Sequence, residues 1–135
     1  MVKLAGEALD ELRRADWQRL REEDPERAKW LKGTRFLLRR RSETLGDRAR
    51  SVLEDLAETN QDVYRGWLLT DQLRMVYLAE SRAEARDLID EWIFAAAASE
   101  LDPFTRVAIT FERHAEAIAN AVWLGVNNAR LEAMN

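Results

Sequence analysis

Apolar residues recur at intervals of three and four along almost the whole chain, which is the spacing of one face of an α-helix. Only five glycines and two prolines interrupt its 135 residues, and no convincing run of alternating strand residues is present. That is too few turn residues for a many-stranded sandwich, and the aromatic content is too high for a disordered chain. We therefore expect an all-α fold, a single array of about six helices forming one domain over residues 1–135.

Capping residues and breakers set the expected helix boundaries. Pro25 opens the second helix, Gly33-Thr34 weakens it, and Ser81 with Glu84 has the spacing of a capping box. Asp102-Pro103 is expected to begin the last helix. The predicted helices cover residues 2–21, 25 to about 41, 43–59, 61–79, 82–101 and 103–125.

Several classes of protein are excluded by what the sequence lacks. It has no cysteine, which excludes a disulfide scaffold and thiolate zinc sites and fits a reducing cytoplasm. Its longest apolar run, 92–98, is far shorter than the ~20 residues of a membrane helix, so no membrane partner is expected. A single histidine and the absence of a glycine-rich phosphate loop leave few sites for chemistry.

Positive charge is concentrated in one segment of an acidic chain. Residues 27–41 carry seven lysines and arginines and no acid, while the whole chain has a net charge of -4 and the rest therefore -11. Such a segment favours a polyanion as partner; the alternative is a solvated helix face paired with neighbouring acids. The candidate DNA-binding residues are Lys32, Arg35, Arg39, Arg40 and Arg41.

The histidine and the tryptophans are expected to have structural roles, with functional roles as the alternatives. His114 lies between Phe111 and Ile118 at helical spacing, so we expect it to be packed on an apolar helix face, with a functional role as the alternative. The five tryptophans are expected in the core, with base stacking as the alternative.

Asn128, Glu132 and Asn135, together with Lys32-Gly33-Thr34-Arg35-Phe36 and shorter segments elsewhere, form an ordered set of motifs. This set resembles the motifs of DDE-type transposases from bacterial insertion sequences of the ISL3 group. Asn128, Glu132 and Asn135 match the spacing around that family's last catalytic acid. Residues 32–38 are similar to its lysine-glycine-x-arginine-aromatic-x-leucine segment. The helix before that acid is resembled by Arg113-His114 with Ile118. The helix that follows the family's second catalytic aspartate is resembled by the segments 2–5, 8–10 and 13–14.

The resemblance implies both a function and an incomplete site. In the family, three carboxylates hold divalent ions, usually Mg²⁺. The enzyme uses these ions to catalyse DNA cleavage and strand transfer during transposition. Glu132 corresponds to the third carboxylate and metal ligand, whereas the two aspartates would precede Met1. We therefore expect a helical piece of a catalytic domain, without its RNase-H-like sheet, that by itself is inactive and binds no metal; Glu132 is alternatively a plain surface glutamate.

Two functions from different classes remain open at this point. One is a segment of a DNA transposase, which takes part in DNA recombination and has DNA as its partner. The other is a stand-alone helical module that binds protein or DNA without catalysis. The first and last helices are also expected to expose apolar surface that promotes self-association.

Overall fold

The computed structural model describes residues 1–134 and confirms the all-α prediction. Within those residues there are seven α-helices and no strand. The helices are α1 (Val2–Glu23), α2 (Pro25–Gly33), α3 (Asp47–Thr59), α4 (Gln61–Leu73), α5 (Arg82–Ala98), α6 (Asp102–Arg113) and α7 (Ala115–Met134). Short 3-10 helices lie at Leu37–Arg39, Ser42–Thr44 and Arg74–Leu78.

Two helix starts carry side-chain caps, and one of them is the capping box that the sequence predicts. The Asp24 side chain accepts a hydrogen bond from the Arg27 amide, and Pro25 follows it in the first turn of α2. The Ser81 hydroxyl accepts from the Glu84 amide at 3.0 Å, and the Glu84 carboxylate accepts from the Glu80 amide. The bonds from the Arg27 and Glu84 amides satisfy backbone donors that the first turn of a helix leaves unpaired, and the third bond pairs the Glu80 amide just before the N-cap.

The predicted break at Gly33-Thr34 is confirmed, but three boundaries differ clearly from expectation. The last helix runs to Met134 rather than ending at residue 125. The third helix begins at Asp47, because Leu45 and Gly46 are extended and Gly46 is its N-cap. The fourth ends at Leu73, after which the chain tightens into a 3-10 helix rather than continuing as α-helix to residue 79. Apolar spacing alone does not separate these two kinds of helix.

The chain divides into two compact units, and the prediction of one domain over residues 1–135 stays a prediction. Lys3–Asp71 forms one unit. In it, Arg27 of α2 donates to the Asp55 carboxylate of α3 at 3.1 Å and to Asn60, which follows α3. Asn60 in turn donates to Asp16 of α1 at 3.1 Å, so polar contacts join three helices around buried leucines.

The other unit contains Met1–Val2 and the described residues from Gln72 onward. Its helix α5 packs against α6 and α7. Trp92 lies at the centre, with its ring centroid 5.1 Å from that of Phe111 and 6.4 Å from that of Phe104. All three side chains are buried, so an aromatic cluster holds α5 and α6 together.

The interpretation of His114 as a packed residue is wrong. The expected continuous helix is interrupted there: α6 ends at Arg113, and His114 has φ -120° and ψ 19°. The interruption shifts the helical register, so that Ala115 and Ala119 are buried after it while His114 is exposed. Of the five tryptophans, Trp67 and Trp92 are buried and the other three are half-buried.

Large apolar side chains are exposed on both the first and the last helix, as predicted. They are Val2 and Leu4 on α1 and Leu124, Leu131 and Met134 on α7. Self-association through such side chains stays a prediction. No helix in residues 1–134 is both long enough and apolar enough to cross a bilayer.

Candidate functional site

All five cations predicted to bind DNA are exposed where α2 gives way to irregular chain. Lys32 lies in the last turn of α2, and Arg35, Arg39, Arg40 and Arg41 follow it before α3 begins. We call residues 34–46, which connect α2 to α3, the connection.

The connection is fixed to its own unit although its cations face solvent. Leu38 and Leu45 are buried, with 4% and 8% of their surface exposed. The Trp67 indole donates to the Arg40 carbonyl at 3.3 Å, and the Ser42 amide donates to the Asp71 carboxylate at 3.1 Å. These contacts from α4 hold the backbone between the buried leucines, so the arginines project from an ordered support.

Arg27, at the start of the basic segment, has a structural role instead. Its guanidinium contacts Asp55, Thr59 and Asn60, and its Cζ lies 3.8 Å from the centroid of the Trp30 ring. The alternative interpretation of the basic segment, in which its cations pair with neighbouring acids, is therefore correct for Arg27. Because these contacts occupy its guanidinium, Arg27 is not one of the cations that can bind an external anion.

The contacts of Arg40 and Arg41 leave both side chains exposed. Arg40 donates through Nη2 to the Thr44 carbonyl at 2.6 Å, which bridges the connection internally. Arg41 lies 3.8 Å from the Glu43 carboxylate, and both members of this pair are exposed. Such an ion pair contributes less than about 1 kcal/mol and competes weakly with an incoming phosphate.

Phe36 is a feature of this surface that the sequence interpretation did not single out as functional. Its side chain is 65% exposed. The Arg35 Cζ lies 4.8 Å, and the Arg39 Cζ 5.8 Å, from the centroid of its ring. The signal in the sequence is an aromatic residue within a run of cations just after a helix break.

Glu132 is exposed on the last turns of α7, together with Asn128 four residues earlier. Arg130 supports this part of the helix: its Nη2 donates to the Ala79 carbonyl at 3.0 Å, and its Cζ lies 5.5 Å from the centroid of the Trp123 ring. Asn135, the third residue of the predicted motif, lies outside the described residues.

The described residues do not make up a metal site. Nowhere in residues 1–134 do three histidine, aspartate or glutamate side chains come together in a way that could hold a metal ion. Asp10 pairs with Arg13 at 2.7 Å, and Asp16 accepts from Asn60, so these acids have structural partners. A divalent ion needs several oxygen ligands, and Glu132 offers one carboxylate.

Comparison with known proteins confirms the family that the sequence resembles. The family model described as transposase, of the DDE type and ISL3 group, matches residues 1–135. Transposases for insertion sequence element IS1557 from two strains of Mycobacterium tuberculosis, CDC 1551 and H37Rv, are each 33% identical over 110 residues. The aligned part covers 82% of this chain and 24% of each relative, so the chain spans about a quarter of their length. No solved structure gave a significant match. The chain belongs to the ISL3 family of DDE transposases.

Proposed function

We propose that this chain serves a bacterial insertion-sequence transposase in two ways: its connection binds the DNA backbone, and Glu132 is the last of the three catalytic carboxylates. The observation that carries the DNA-binding part is the set of five exposed cations on an anchored backbone. DNA transposition is the activity proposed for the whole enzyme.

The charge distribution supports contact with phosphates through the connection and the end of α2. Lysine and arginine bind phosphate oxygens without reading base sequence, so the binding is expected to be weak and non-specific. The remaining residues carry a net charge of -11 and repel DNA. That repulsion confines the contact to the basic segment and limits its strength.

Replacing Arg39, Arg40 and Arg41 together by alanine should weaken duplex DNA binding and flatten its salt dependence. Each phosphate contact contributes about 0.9 to the slope of log affinity against log salt concentration, so the slope should fall by up to about 2.7. Fluorescence anisotropy of a labelled duplex at several salt concentrations measures both quantities.

A matched variant separates local contact from net charge. Arg14, Arg65 and Arg113 are exposed outside the basic segment, and replacing all three by alanine changes the net charge equally. This control should retain most of the affinity and of the slope. Equal losses in the two triple variants, or no loss in either, would show that the connection is only a solvated surface.

For Glu132, the proposal rests on its motif and on its exposure in a supported part of α7. Mg²⁺ is the cofactor proposed for the whole enzyme, where two further carboxylates join Glu132 in the metal site. The alternative of a plain surface glutamate makes the opposite prediction for the Glu132→Gln variant described in the Discussion.

A further inference from the structure

We propose that Phe36, together with Arg35 and Arg39, is a stacking site for an unpaired DNA base. The connection would then bind single-stranded or locally opened DNA in preference to intact duplex. This inference rests on the proposed DNA-binding function and adds to it the form of DNA that is recognised.

The exposure of Phe36 is not explained by the packing of its segment. Leu38, two residues later, is buried, while 65% of the Phe36 side chain is exposed. The Phe36 carbonyl accepts from the Arg39 amide at 3.3 Å, so its backbone belongs to an ordered 3-10 turn. A large apolar ring is thus held in solvent on a fixed support, where covering it would be favourable.

The groups around the ring indicate what would cover it. Both guanidiniums lie within about 6 Å of the ring centroid, the distance of a cation–π contact. Aromatic rings and guanidinium planes both stack on bases, and the same cations bind the flanking phosphates. No acid lies in residues 27–41, so the ring is surrounded by positive charge in its own segment. This combination suits a nucleotide better than an apolar protein surface.

The form of the DNA follows from where bases are accessible. In a duplex each base stacks on its neighbours, and only phosphates and base edges face the protein. A single strand offers base faces that a side chain can cover. Phe36 should therefore contribute to single-strand affinity and contribute little to duplex affinity, whereas the arginines contribute to both.

The test compares Phe36→Leu with Phe94→Leu in the full chain. Phe94 is also a largely exposed phenylalanine, at 77%, but on α5 it lies three and four residues from the acids Glu91 and Asp90. Leucine keeps an apolar side chain and removes the ring, and both sites are exposed, so both variants should fold. Affinity for a labelled single strand and for the duplex of the same sequence is measured by anisotropy at one salt concentration.

We expect Phe36→Leu to weaken single-strand binding by at least about 5-fold and duplex binding by less than about 2-fold, since stacking is lost only where a base face is available. Phe94→Leu should leave both unchanged, and Phe36→Trp should preserve or increase single-strand affinity. Loss of both affinities to the same extent, or no loss of either, would overturn the stacking site while leaving the phosphate contacts intact. Failure of the unaltered chain to bind either DNA would overturn the proposed DNA-binding function, and this inference with it.

Discussion

Replacing Glu132 by glutamine is expected to reduce DNA strand cleavage by about 1,000-fold or more in a polypeptide that joins this chain to a segment bearing the family's two aspartates. The amide keeps the shape of the side chain but loses the negative charge, and an electrostatic contribution of several kcal/mol corresponds to such a factor. Glu132 is exposed, so folding should be unchanged, and DNA binding should persist. Gel analysis of a labelled DNA substrate measures cleavage, and anisotropy measures binding.

The matched control for this prediction is Glu112→Gln. Glu112 is an exposed glutamate on α6, so the substitution removes the same charge from a comparable helical position. It should leave cleavage within about 2-fold of the unaltered enzyme, as surface substitutions usually have small effects. Normal cleavage by the Glu132→Gln enzyme would show that the catalytic carboxylate lies elsewhere and that Glu132 is a surface residue.

Truncating Phe111 to alanine is expected to destabilise the unit that contains α5, α6 and α7 by about 3–5 kcal/mol. Phe111 is 1% exposed, and its ring packs on that of Trp92, so its removal leaves a cavity at the centre of the aromatic cluster. Since a domain is stable by only about 5–15 kcal/mol, the loss should be a large part of the free energy of unfolding. Urea denaturation followed by circular dichroism measures it.

Phe94→Ala provides the comparison for that truncation. The same ring is removed from a site that is 77% exposed, so the free energy of unfolding should change by less than about 0.5 kcal/mol. If the Phe111 and Phe94 variants unfolded at the same urea concentration, the arrangement of α5 and α6 around Trp92 would be incorrect.

Helix content and several helix ends were predictable because they depend on local chemistry. Pro25, Ser81 and the Gly33-Thr34 break act through their own backbone and its nearest hydrogen bonds, and the structure confirms each of them. His114 was misinterpreted because a single helical period was extended across an interruption. Neither a glycine nor a proline marks that interruption, and only the tertiary packing of α6 and α7 reveals it.

In the candidate site, too, some features were predictable from the sequence and others were not. The exposure of the five cations follows from their charge, since lysine and arginine side chains are almost never fully buried. That Arg27 differs from them could not be predicted, because its partners Asp55 and Asn60 are 28 and 33 residues away in sequence. The exposure of Phe36 was equally hidden, because an aromatic residue beside leucines normally indicates a core position. Glu132 was found through a motif rather than through its surroundings.

Hydrogen exchange of the 135-residue chain with and without DNA tests most directly whether the basic connection is the DNA-binding surface. Amides of residues 34–46 should exchange more slowly when DNA is bound, because bound phosphates cover the connection and stabilise its turns. Amides of the exposed face of α5, which carries Glu91 and Phe94, should exchange at the same rate in both states. Protection on α5 together with unchanged exchange at residues 34–46, at DNA concentrations that saturate binding, would contradict the account.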